Sequence, residues 1–167
     1  MGMSVIISAA TAQDVEQIFR LQYLCFQSEA QLYDNYRIDP LVQTIDEVRG
    51  EVADDVVFVA RLGDEVVGSV RGFTDPDGTG QINRLCVHPR LQGHGLGTRL
   101  LTAAEAALAA DRAVTRFRLH TGHRSESNLR LYRRAGYTQV GDVTGADGVR
   151  LILLEKEAAA QEFVASA

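Results

Sequence analysis

A chain of 167 residues can fill one well-buried core and is too short for two domains of ordinary size. With 46% hydrophobic and 23% charged residues it reads as a soluble globular domain. No apolar run reaches membrane-spanning length, and no basic segment precedes an apolar core at the N-terminus, so neither a span nor a signal peptide is expected. A net charge of −5, with no recurring basic helix or aromatic platform, argues against a nucleic-acid partner.

Val5-Ile6-Ile7 reads as a first strand. Thr11-x-x-Asp14 resembles a capping box, and Val15, Ile18, Phe19, Gln22, Cys25 and Phe26 make one face of the helix that follows. Thr44-x-x-Glu47 opens a second helix with Ile45 and Val48 inward. Val56–Leu62 and Val66–Thr74 are β-branched runs joined by Gly63-Asp64-Glu65, a hairpin signal. After the loop 75–80 come a strand at Gln81–Val87 and a helix marked by Leu96, Leu100, Leu101, Ala104 and Leu108. A strand at Phe117–His120, a helix around Tyr132, and strands at Thr138–Val143 and Val149–Glu155 complete the order β-α-α-β-β-β-α-β-α-β-β. Residues 157–167 read as a loose tail or short terminal helix. Without repeats, low-complexity linkers or breaks in composition, residues 1–167 read as a single domain.

The stretch Val87-His88-Pro89-Arg90-Leu91-Gln92-Gly93-His94-Gly95-Leu96-Gly97 joins a strand to a helix N-terminus. Such a turn presents unpaired N–H groups and the positive helix end to an anion, and glycine lets the backbone approach it. Two familiar phosphate loops are excluded. Gly97 is followed by Thr98 and Arg99, where a P-loop needs Lys and then Ser or Thr. The dinucleotide fingerprint fails because its third glycine would fall on Thr98 or Leu100.

What remains, Gln92-x-x-Gly95-x-Gly97 preceded by Val-x-Pro, resembles the acetyl-CoA pyrophosphate loop of the GNAT superfamily of N-acetyltransferases. A second match lies downstream: Ser127-Asn128-Leu129-Arg130-Leu131-Tyr132-Arg133-Arg134-Ala135-Gly136-Tyr137 resembles the family's penultimate helix, with Gly136 placed as its C-cap. Both motifs fall within residues 81–137. The resemblance implies an α/β (α+β) fold with a mixed, mostly antiparallel seven-stranded sheet and helices on both faces. It also implies transfer of acetyl from acetyl-CoA to a primary amine of a small molecule or peptide, by direct attack and without a metal.

By the same resemblance, the loop Gln92, Gly93, His94, Gly95, Leu96, Gly97 and Thr98 holds the pyrophosphate. The strand edge Leu85, Cys86 and Val87 pairs with the pantetheine arm, with an oxyanion donor near Val87. Tyr132 aligns with the tyrosine that protonates or orients the departing thiol. The family's cofactor-contacting Asn, seven residues before that tyrosine, is replaced by Ser125, which leaves Asn128 or Ser125 for the role. The strand carboxylate that many members use as a base is also missing from Gln81-Ile82-Asn83-Arg84, which makes His120 the first candidate base. Glu29, Tyr33, Asp34 and Tyr36 occupy the region that shapes the acceptor pocket in this family. A GNAT-like module that binds coenzyme A without catalysis is the competing reading.

Charge is divided along the chain. Residues 1–83 hold five Arg against fourteen acids (−9), residues 84–134 ten Arg against three acids (+7), and residues 135–167 two bases against five acids (−3). The basic segment carries both motifs and suits an anionic cofactor; the acidic half suits a cationic acceptor. His88, His94 and His123 read as surface residues. Cys25 and Cys86 lie on apolar periodic positions without metal-ligand spacing, which suits reduced thiols of a cytoplasmic protein, monomeric or homodimeric. Cys86, beside the expected thioester, reads as a small core residue.

Overall fold

The structure, a computed structural model, describes residues 4–159. Seven strands form one sheet: β1 (Val5–Ala9), β2 (Val56–Leu62), β3 (Glu65–Thr74), β4 (Thr79–Val87), β5 (Arg116–Gly122), β6 (Thr138–Thr144) and β7 (Arg150–Glu157). Their spatial order is β1-β2-β3-β4-β5-β7-β6, antiparallel throughout except for the parallel pair β4–β5. The sheet is mixed and mostly antiparallel, as the resemblance implies. β7 runs through Glu157, two residues beyond the expected end, and the expected tail from residue 160 onward lies outside the described residues.

Helices cover both faces. On one, α5 (Leu96–Ala109) buries Leu96, Leu100, Leu101, Ala104 and Leu108 against Val67, Val70, Ile82 and Phe117. Gly68 permits this close approach, since a Cβ there would stand 2.9 Å from Leu100 Cδ1. On the other face, α1 (Val15–Cys25) and α4 (Ile45–Asp54) bury Val15, Ile18, Leu21 and Val48 against Val57, Val59, Val66 and Cys86. The Thr44 box is formed as expected: Glu47 N–H donates to Thr44 Oγ1 at 3.1 Å, and Thr44 N–H to Glu47 Oε1 at 3.0 Å.

Two helices expected between β1 and β2 become four. α1 stops at Cys25, α2 (Gln27–Tyr33) follows, and a single turn, α3 (Asp39–Val42), precedes α4. α2 ends because Asp34 adopts a left-handed φ of 48°, and Pro40 pre-sets φ in the first turn of α3. Elements this short carry too little apolar periodicity to be read from sequence.

One irregularity positions the site. On β3, Ser69 and Arg71 pair with Cys86 and Asn83 of β4, so Arg84 and Leu85 stand where one residue is expected. This is a β-bulge, and Arg84 takes a left-handed φ of 54°. β4 and β5 pair only at Thr79–Gln81 with Arg116–Arg118, after which the two strands part. A wedge between them opens toward the glycine loop.

Candidate active site

Past β4 the chain makes a single tight turn at Pro89–Leu91 and enters the loop. Gly93 (φ 85°) and Gly95 (φ 78°) are left-handed, a region in which an L side chain costs about 1–2 kcal/mol. Gly97 serves differently: a Cβ there would meet Leu131 Cδ2 at 3.2 Å, so it lets α5 sit against α6 (Glu126–Arg134). No side chain caps α5 at Gly95, which leaves the first-turn N–H groups free to meet an anion.

These groups border a groove of about 1350 Å³, open space included. Of the residues expected to hold the cofactor, Leu85, Cys86, Val87, Gln92, Gly93, Gly95, Leu96, Gly97, Thr98 and Asn128 line it. His94 does not; it is exposed on the outside of the loop. Gln92 Nε2 donates to Val87 O at 3.3 Å, tying the loop to the strand edge. Sequence reasoning missed Ser127, Arg130, Leu131 and Arg134, which line the groove from α6. Their three- and four-residue spacing places them on one helix face, and that was the available signal.

A second cleft, about 820 Å³ with its open space, lies in the wedge itself. β4 supplies Ile82–Leu85 and β5 supplies His120–Gly122, while Phe26, Glu29, Tyr33 and Ile38–Pro40 roof it from the helical side. Tyr132 lines this cleft rather than the loop groove. Four residues line both: Phe26, Glu29, Leu85 and Asn128. The two spaces therefore meet at these side chains.

Tyr132 is 6% exposed and packs edge-on against Tyr137, with ring centroids 6.1 Å apart. Burial first, then the Glu29 and Cys86 charges, pushes its phenol well above the ordinary value, so it keeps its proton. Glu29 is fixed from β5's side: Ser125 Oγ donates to Glu29 Oε2 at 2.6 Å and lies 3.3 Å from Tyr33 Oη. Tyr33 Oη also accepts from Arg124 N–H at 2.8 Å and occupies the space a Cβ on Gly122 would need. Ser125 is thus committed to Glu29 and Tyr33, and it is Asn128, 3.4 Å from Thr121 Oγ1, that faces both spaces.

His120 stands on the cleft wall with its side chain open to solvent. The surrounding protein, and then the Arg84 charge, lower its pKa below 6.5, with Asp39 opposing, so the ring is neutral at pH 7. Tyr33 and Glu29 take part in the cleft, whereas Tyr36 is 57% exposed and lines neither space, as is true of Asp34. Cys86 is buried, as expected, and also borders the groove; Cys25 Sγ donates to Val87 O at 3.4 Å. Contact with Cys86 and then burial hold the Cys25 thiol protonated. Among the described residues no cluster could hold a metal ion, and no helix is long and apolar enough to cross a membrane.

Residues 13–137 match the family model described as acetyltransferase (GNAT) family. Among curated proteins, the chain is 31% identical over 132 residues to the uncharacterized N-acetyltransferase YesJ of Bacillus subtilis, covering 71% of each. It is 27% identical over 111 residues to an aminoglycoside N(6')-acetyltransferase type 1 of Klebsiella pneumoniae, covering 59% of this chain and 55% of that enzyme. The chain thus spans only about half the length of that relative. Among solved structures, the paia N-acetyltransferase of Thermoplasma acidophilum in complex with coenzyme A superposes with a TM-score of 0.75 at 14% identity, covering 93% of this chain and 99% of that one. A GNAT-family acetyltransferase of Streptococcus pneumoniae gives 0.74 at 19% identity, covering 92% and 99%. At such identities these structures bear on the fold alone.

Proposed function

Taking as premise that the chain belongs to the GNAT family of acetyltransferases, we propose that it acetylates a primary amine of a small molecule or peptide by direct attack within a ternary complex. Membership supports an acetyl-CoA-dependent acyltransferase, and the acceptor and the order of events complete the proposal. The observation that carries it is the meeting of two separate spaces at Phe26, Glu29, Leu85 and Asn128. Donor and acceptor can then be held at once, with the reacting atoms brought together at the junction. No protein nucleophile is required, and buried Cys86 takes no covalent part.

In this reading the loop from Gln92 to Thr98 holds the pyrophosphate on backbone N–H groups and the β4 edge at Leu85–Val87 holds the pantetheine arm. The ammonium gives one proton to neutral His120, and the resulting amine attacks the thioester carbonyl; its second proton leaves the nitrogen as the intermediate collapses and replaces the one that Tyr132 gives to sulfur. A β4 N–H near Val87 stabilises the oxyanion, the C–S bond breaks, and the thiolate recovers a proton. Tyr132 donates its O–H to the departing sulfur. Because burial raises the phenol, it acts mainly as a hydrogen-bond donor, and full proton transfer occurs only as charge builds on the sulfur.

The acceptor cleft carries Glu29, Asp39 and Asp147 against a single guanidinium, Arg84. That balance favours an amine arriving as a cationic ammonium. A cytoplasmic location fits the two free thiols. The test is thiol release from acetyl-CoA on mixing with a panel of primary amines, with mass spectrometry of the product. N-acetylation of at least one amine is expected. Coenzyme A binding without acetyl transfer to any amine or peptide would instead support the non-catalytic reading.

A further inference from the structure

The acceptor cleft holds one guanidinium with no ion-pair partner, and from it we infer that the acceptor bears a carboxylate within a few bonds of its amine. The inference rests on the proposed function and narrows it to amino-acid-like acceptors.

Arg84 is a bulge residue, placed by the register slip opposite Ser69–Arg71. Its left-handed φ of 54° is one that an arginine adopts at a cost, and such residues gather at functional sites. A bulge re-aims a side chain, and this one lines the acceptor cleft beside Asn83 and Leu85. Arg84 takes part in none of the ion pairs seen among the described residues.

The acids whose charge it feels are largely engaged elsewhere. Glu51 lies 2.5 Å from Arg71 Nε, and Glu47 closes the Thr44 capping box. That leaves Asp39, which lines the same cleft. A guanidinium presents a planar fork that matches a carboxylate, so Arg84 offers an anion subsite within a cleft whose other fixed charges are acidic.

Position then sets the substrate's shape. Leu85, the next residue, belongs to the junction where acetyl transfer is proposed, and Arg84 and Leu85 line the same cleft. A carboxylate held at Arg84 in this shared cleft suits an acceptor whose amine lies a few bonds away, as in a free amino acid. A polyamine would instead set an ammonium against Arg84, like charge against like charge.

The experiment compares kcat/KM for amino acids with that for the amines left when the carboxylate is removed, in the wild type, Arg84→Lys and Arg84→Asn. Asn tolerates the left-handed backbone, and Lys keeps the charge without the fork. The wild type should prefer the amino acid by about tenfold or more. Arg84→Asn should erase that preference while leaving the KM for acetyl-CoA unchanged, and Arg84→Lys should keep part of it. Equal or better turnover of the decarboxylated amines by the wild type would overturn the inference and leave the proposed function standing. So would an equal loss for both members of each pair in a folded Arg84→Asn protein assayed on the alkaline side of its acid limb, where the effect of Arg84 on His120 is not felt. Acetylation of no amine at all would instead remove the proposed function on which the inference depends.

Discussion

Gly97→Glu separates the anion-binding role of the loop from its structural role. The new side chain would grow from the first turn of α5, where N–H groups and the helix dipole face the groove. Its Cβ would press on Leu131 Cδ2 at 3.2 Å, a contact that a leucine side chain relieves by moving a few tenths of an ångström. A carboxylate near a helix N-terminus returns about 0.3–1 kcal/mol, so the free protein should lose little stability. A pyrophosphate would meet a different situation. At a separation of about 5 Å and an effective dielectric of about 20, each phosphate charge would be repelled by roughly 3 kcal/mol. The dissociation constant for acetyl-CoA should then rise by about 10²-fold or more. Gly97→Ala, which adds bulk without charge, should change it far less. Isothermal titration calorimetry with thermal denaturation of the free variants measures both quantities. A folded Gly97→Glu protein with unchanged acetyl-CoA affinity would refute the assignment of this loop.

Tyr132→Phe should lower kcat by about 10²-fold with little change in acetyl-CoA affinity, as steady-state kinetics and binding will show; unchanged kcat with chemistry rate-limiting would reduce Tyr132 to packing. His120 must be neutral to accept a proton, and desolvation by the surrounding protein, then the Arg84 charge, lowers its pKa, so kcat/KM should hold as pH falls from 7 and its acid limb should lie below that of a free imidazole. His120→Gln should abolish that acid limb, and a limb that survives in the variant assigns the base elsewhere. Glu51→Ala removes the carboxylate from Arg71, whose side chain is 1% exposed, while Glu51 itself is 29% exposed. The loss should be about 3 kcal/mol, at the low end for a broken buried pair, or a melting temperature lower by roughly 6–12 °C; a shift under about 2 °C would show the pair to be immaterial.

The sheet was most legible where β1, β2 and β3 carry β-branched runs, and α5 was legible because five apolar residues recur at helical spacing. The loop could be read for a local reason too: Gly93 and Gly95 mark positions where the backbone turns left-handed. The bulge left no such mark. Its left-handed residue is Arg84, and an arginine within a strand pattern announces neither an inserted residue nor a parting of β4 from β5. Sequence spacing likewise put Asn128 among the cofactor-binding residues with Ser125 as the open alternative. The difference between them is tertiary: Ser125 Oγ bonds Glu29 across 96 residues of chain, whereas Asn128 lines both spaces.

The same bulge bears on the missing strand carboxylate. Once β4 bends away from β5, His120 no longer has a β4 partner and its ring faces the wedge. β5 remains paired with β7 at His120–Leu153, so the backbone beneath the imidazole stays fixed. A base carried on β5 can thus face the acceptor without any carboxylate on β4. On β4 the cleft is lined by Arg84, whose charge helps keep His120 neutral. Replacing Arg84 with a carboxylate would therefore act twice, removing the anion subsite and raising the His120 pKa. An Arg84→Glu protein should show an acid limb at higher pH than the wild type, and an unmoved limb would mean that Arg84 and His120 do not communicate.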